Sequence, residues 1–212
     1  MTTALAHIVP LAFASGLNLY ATVAVLGLCS HFHLVTLPDQ YRAFGHPLVI
    51  GAALTLYAVE FIADKIPWVD SVWDAVHTVV RPIGSAVVAV TAMGSVSPEL
   101  TAVAALIGGS VAMTTHLAKA GTRAAVNTSP EPFSNWFLSL SEDVLAIGLS
   151  YGALRHPIAA LTVAVALLAA IGACSVVLVR ALSRTSLRKR TSPRRWLRST
   201  TGVSGVMWAT DA

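Results

Sequence analysis

Residues 157–182 read PIAALTVAVALLAAIGACSVVLVRAL, an apolar run whose first charge is Arg180. A helix crossing a bilayer needs about 20 consecutive, mostly apolar residues. A helix apolar on every side belongs inside a large core or in lipid. Working outward, comparable stretches cover residues 4–28, 47–62, 82–96, 100–118 and 133–154. The 47–62 and 82–96 stretches are short and are expected to continue into flanking amphipathic residues. Pro98 and Pro157 mark turns, because proline fits a helix's first turn and not its interior.

Composition agrees. The chain has 212 residues, 55% hydrophobic and 11% charged, with a mean hydropathy of +0.71. Soluble domains carry roughly 25% charged residues, so this chain lacks the charge to cover itself in water. Period-two alternation, the mark of a membrane β-barrel, is missing. The expected fold is an all-α, polytopic membrane helix bundle of about six transmembrane helices over residues 1–182. A basic tail, 183–212, follows, expected to lie in the cytoplasm without a fold of its own.

Charge orients the spans. Eight of the fourteen basic residues fall between Arg180 and Arg198, beside a hydrophobic helix, where anionic lipid headgroups are the natural partner. No folded module or aromatic interleaving surrounds them, so nucleic acid is not expected as a partner. Six crossings with the tail inside put Lys65, Arg81, Lys119, Arg123 and the tail bases in the cytoplasm, leaving Arg42 and Arg155 outside. That asymmetry obeys the positive-inside rule and puts both termini in the cytoplasm. Cys29 and Cys174 lie in apolar runs and read as small core residues. The N-terminus lacks the basic region of a cleavable signal peptide.

A faint internal repeat runs through the chain. Ile50-Gly51 is matched by Ile107-Gly108, Pro67-x3-Ser71-x-Trp73 by Pro130-x3-Ser134-x-Trp136, and Ile83-Gly84 by Ile147-Gly148. Transport folds are often built from such units, with the site between them. Ile-Gly pairs are common in an apolar chain, so coincidence stays open beside duplication.

Polar residues interrupt the hydrophobicity in three places. Ser15-Gly16-Leu17-Asn18 permits local unwinding near the middle of the first span, or close helix packing with Asn18 bonding a neighbour. Glu60 and Asp64 share one helical face; Asp70, Asp74 and His77 share another. Those faces suit a cation, a proton relay, or a solvated interfacial helix with Trp68 and Trp73 among the headgroups. His116, Lys119 and Arg123 make a cationic stripe, followed by Asn127, Glu131 and Asn135. The stripe favours the helix dipole and would also suit an anion. Glu142 and Asp143 lie inside the fifth span, where carboxylates are costly and mark function or an internal ion pair. Their expected partners are Lys119, Arg123 or Lys65. The acidic segment and the basic one occupy matching places on one side of the membrane and are expected to meet.

Several of these stretches together resemble a family. Ser15-Gly16-Leu17-Asn18, Asp64-Lys65-Ile66-Pro67-x2-Asp70-x2-Trp73-Asp74, the run from Lys119 to Asn135, and Glu142-Asp143 resemble the bacterial membrane proteins grouped as domain of unknown function 4126. The resemblance covers residues 5 to 180. It implies a bacterial inner-membrane protein and carries no mechanism.

The expected function is a transporter or channel for an ion or small charged solute. Asn18 and the first-helix backbone would line the path, Asp70, Asp74, Glu142 and Asp143 would take cations or protons, and Lys119 and Arg123 would neutralise them or hold an anion. A chain of 22.1 kDa is small for a permeation path, so a homo-oligomer is expected. The other reading is a structural or lipid-interacting protein whose charges clasp the fold. No nucleophile elbow, paired-histidine zinc motif or phosphate-cradling glycine loop occurs, so no enzymatic activity and no cofactor are expected.

Overall fold

A computed structural model describes residues 2–126 and 132–191. Helices make up every regular element among them: α1 (Thr2–Leu17), α2 (Leu19–His31), α3 (Pro47–Ala63), α4 (Pro67–Met93), α5 (Pro98–Val126), α6 (Pro132–Arg155) and α7 (Pro157–Thr191). A 3₁₀ turn, Asp39–Ala43, joins α2 to α3. Proline opens each helix from α3 onward, where its missing N–H costs nothing. The chain divides after Ile171 into two compact units, the second holding the rest of α7.

Among the described residues, four helices are long and apolar enough to span a membrane: Trp68–Met93, Pro98–Val126, Phe133–Arg155 and Pro157–Ala181. The protein is a multi-pass helical membrane protein. The expected span at 82–96 is the second half of α4, with Pro82 inside the helix. In lipid such a proline is tolerated because neighbours satisfy the freed carbonyl. At 17 residues, α3 rises only about 26 Å, near the minimum for a crossing.

The first apolar stretch departs most from expectation. Asn18 is extended, at φ −150° and ψ 101°, and divides the stretch into two helices. Gly16 lies against Ala112 and Thr115 of α5, Leu19 against Gly84 of α4, and Thr22 accepts from Ser150 of α6 at 3.2 Å. Farther along α2, Gly27 meets Phe44 and Ile50, and His31 reaches the Gly45 carbonyl. At the start of α1, His7 lies beside the Ala153 backbone. Ala153 and Gly45 belong to the same end of the bundle, so α1 runs inward from that end and α2 runs back to it. The pair is a helical hairpin with Asn18 at its tip. It does not cross as one span, and α1 begins at the end opposite the tip.

Around this hairpin the core is close-packed. A methyl group added at Gly16 would lie 2.6 Å from the Ala112 carbonyl oxygen, and one at Gly27 2.7 Å from that of Phe44. Small residues allow this approach where lipid supplies no hydrophobic drive between helices. α4 packs mainly on α5, and α1 on α4, α5 and α6. The matched repeat glycines do not share their surroundings. Gly108 is pressed against Ala89 and Gly84 against Leu19, whereas Gly51 and Gly148 face open space. Cys29 is buried as expected; Cys174, in the second unit, is exposed.

Candidate functional site

The hairpin tip enters a buried network of charges. Six carboxylates, Glu60, Asp64, Asp70, Asp74, Glu142 and Asp143, and three cations, Arg81, Lys119 and Arg123, are all buried. Their positions follow from the helix ends. Glu60 and Asp64 close α3, Asp70 and Asp74 stand near the start of α4 with Arg81 at its middle, Lys119 and Arg123 lie toward the end of α5, and Asn135 to Asp143 lie in the first half of α6. The acidic and basic segments do meet.

Arg123 is the hub. It donates to Glu142 Oε2 and Asp64 Oδ2 at 2.7 and 2.8 Å, to Asp70 Oδ1 at 3.2 Å and to the Asp64 carbonyl at 2.7 Å. Asn135 supports it, donating to that carbonyl at 3.2 Å and accepting from Arg123 at 3.4 Å. Lys119 is surrounded by oxygen: Leu17 O at 3.1 Å, Asp64 Oδ2 at 3.2 Å, Glu60 Oε1 at 3.5 Å and Glu142 Oε2 at 3.6 Å. Arg81 pairs with Glu60 at 2.7 Å and Asp74 at 3.5 Å, and reaches the Gly16 carbonyl at 3.4 Å. Lys119 and Arg81 thus satisfy carbonyls that the end of α1 leaves without intrahelical partners.

Asn18 completes the tip from the other side. Its Oδ1 accepts from the Ala21 N–H at 2.9 Å, capping α2. Its Nδ2 donates to Asp143 Oδ1 at 2.9 Å. Both early readings of the Ser15–Asn18 stretch hold together: the helix breaks there, and Gly16 packs closely. Of the two adjacent carboxylates, Glu142 has the expected partners, Arg123 and Lys119. Asp143 forms no ion pair among the described residues.

Other assignments change. His116 is not part of a cationic stripe. Arg81 Nη1 lies 2.5 Å from His116 Nδ1, and arginine has no acceptor, so Nδ1 accepts and the proton sits on Nε2. That nitrogen lies 3.1 Å from both the Asp74 carbonyl and Thr78 Oγ1, and the ring is neutral. His77 donates from Nδ1 to the Trp73 carbonyl at 2.7 Å and meets the Tyr20 hydroxyl at 3.0 Å. Trp73 is no headgroup anchor: its ring stacks on His77 at 4.6 Å. Trp68 is exposed. Among the described residues no three His, Cys, Asp or Glu side chains converge as metal ligands. Asn127 and Glu131 lie outside the described residues.

Arg81 is the member to which the residue pattern assigned no role in a site. The available signal was its register, four residues beyond His77 and seven beyond Asp74, on the polar face of α4. Backbone carbonyls as partners carry no sequence signal at all.

Between α3 and α4, two groups titrate outside the spanning helices. Burial acts to raise the Asp64 pKa, but Lys119 and Arg123 outweigh it and hold the carboxyl below its ordinary range. For Lys65, burial lowers the pKa, and Asp143 and Asp64 offset only part of that. Its ammonium donates to the Phe61 carbonyl at 2.9 Å and sits 3.1 Å above the Phe61 ring.

A family model described as a domain of unknown function, DUF4126, matches residues 5–177. The chain belongs to this family. No curated protein and no solved structure matches it. The DUF4126 match takes in the hairpin and every member of the network and ends inside α7.

A cleft of about 230 Å³ between α4 and α5 approaches the network, lined by Asp70, Asp74, Thr78, Ala120 and Arg123 among others. Chemically, this DUF4126 chain gathers more negative than positive groups in a buried space reached from one side.

Proposed function

We propose that the protein moves a small cation, protons included, across the inner membrane of a bacterium, with the network as its charged path. One observation carries the reading: three more carboxylates than cations are buried around a helix break. Ionisable groups at membrane depth are expensive and mark ion or proton pathways. Broken helices at such depth are a recurring feature of transporter sites. An anion is the weaker substrate, because Lys119 and Arg123 each already face several carboxylates.

The positive-inside rule puts the network end and the basic tail in the cytoplasm, the tail against anionic headgroups. The hairpin then starts α1 on the opposite side of the membrane, and only the tail end of the chain is cytoplasmic. The path belongs to a homo-oligomer and involves no enzymatic step.

A second reading, the fold clasp, is favoured by a different observation. Arg81, Lys119 and Arg123 each bridge at least two carboxylates, enough to tie α3 through α6 together. Flux of sodium, potassium, ammonium and protons into proteoliposomes separates the two. Transport predicts cation uptake by the wild type that Glu142→Gln abolishes while the variant melts as a folded protein. A clasp predicts that Glu142→Gln lowers the melting temperature and that no cation is taken up by either protein.

A further inference from the structure

We propose that Asp143 is the network's proton-binding carboxyl and that Asn18 ties its protonation to the tip of the α1–α2 hairpin. This deepens the transport reading and rests on it for what the proton does, though not for where it sits.

The geometry separates Asp143 from its five neighbours. Glu60, Asp64, Asp70, Asp74 and Glu142 each lie within ion-pair distance of Arg81, Lys119 or Arg123. Asp143 does not, and it is only 2% exposed. Its Oδ1 accepts from Asn18, and its Oδ2 has no hydrogen-bond partner among the described residues. An isolated carboxylate out of water is so costly that it neutralises instead. Neutralisation by a metal ion needs several converging oxygens, and no such acidic group forms among the described residues. A proton needs one.

The charged and titratable groups facing Asp143 come from three places. Tyr57 and Glu60 stand on α3, Asp64 and Lys65 follow it, and Lys119 stands on α5. Two of these are carboxylates that oppose a second negative charge. Two are cations placed to receive Asp143 when its proton leaves. Lys119 also holds the Leu17 carbonyl, the last residue of α1.

The coupling runs through one side chain. Asn18 has a single amide, whose oxygen caps α2 while its nitrogen holds Asp143. When Asp143 gives up its proton, its carboxylate is drawn toward Lys119 and Lys65. Asn18 must then either follow and lose the cap, or let go. Lys119, drawn the other way, loosens the end of α1. Proton release at Asp143 therefore frees both sides of the hairpin tip.

Infrared spectroscopy of the reconstituted full-length protein at neutral pH tests this. A protonated carboxyl has a carbonyl stretch above the amide I band. Asp143→Asn, which copies the neutral acid in shape, is expected to fold, to melt like the wild type and to lose that band, whereas Glu142→Gln keeps it. A band that survives in Asp143→Asn overturns the assignment. So does an Asp143→Asn protein that fails to fold, because a neutral side chain would then not be what the site holds. Asn18→Leu should keep the band but shift its frequency, and an unshifted band removes the link to the hairpin. If the band behaves as expected while the wild type moves no cation, the transport reading fails alone. Cation flux without the band sinks the proton site alone.

Discussion

Where α3 gives way to α4, six carboxylates and three cations share one buried space, whereas at the opposite end Cys29, Phe44 and Ala92 fill the interior with apolar side chains. The hairpin joins the two. Its tip is held by the hydrogen bonds and ion pairs of Arg81, Lys119 and Asp143, its open end by the close approach of Gly27 to the Phe44 backbone. The apolar end needs only shape. The polar end needs balance, because removing one charge leaves its buried partners unpaired. Stability in this protein should therefore be far more sensitive to chemistry at one end and to volume at the other.

The sharpest way to break that comparison is Arg123→Ala. Loss of the hub leaves Asp64, Asp70 and Glu142 short of a partner, and breaking a buried ion pair from one side costs about 3–5 kcal/mol. Thermal melting in detergent should show the largest drop of any single substitution. Next comes volume at the apolar end. Gly27→Val forces side-chain atoms into the Phe44 carbonyl and Ile50, an overpacking cost of about 1–3 kcal/mol. Gly51→Val, facing open space, should melt like the wild type, and equal losses for the two would show that packing at Gly27 is not special.

Asn18→Ala should cost less than Arg123→Ala. It loses the α2 cap, worth about 1 kcal/mol, and leaves Asp143 without its amide donor. Hydrogen exchange should rise first around the tip. Smallest is the acid effect at Asp64, whose carboxyl is held below its ordinary range by Lys119 and Arg123. Its folded pKa lies below the unfolded one, about 3.9. Its stabilisation is therefore complete above the unfolded value and is lost as pH falls through the folded one. Melting temperature should fall on acidification below about pH 4, and Asp64→Asn should remove that part of the slope.

Much of this fold is legible in the residues, because lipid demands long apolar runs and prolines mark where five helices begin. The break at Asn18 is legible too, since a glycine and an asparagine two residues apart weaken a helix locally. The reversal of the chain at Asn18 is not. Hydrophobic length does not distinguish a crossing from a hairpin of the same length; only the partners of His7, Leu17 and Gly27 do. The meeting of Glu142 with Arg123 and Lys119 follows from the cost of an unpaired charge in lipid. Arg81 and the neutral state of His116 do not follow, because Arg81 depends on partners in α1 and α3 and His116 on one contact between α4 and α5. Trp73 looks like an interfacial anchor by its place beside Trp68, yet stacks inward on His77.

The proposed transport requires that the surplus of buried carboxylates move charge rather than merely hold helices together. Proteoliposomes adsorbed on a solid-supported membrane test it most directly, through the transient current that follows a cation or pH jump. The expected result is a current in the wild type, absent from empty liposomes and removed by Asp143→Asn in a protein that still melts normally. A wild-type trace indistinguishable from empty liposomes for protons, sodium, potassium and ammonium would contradict it.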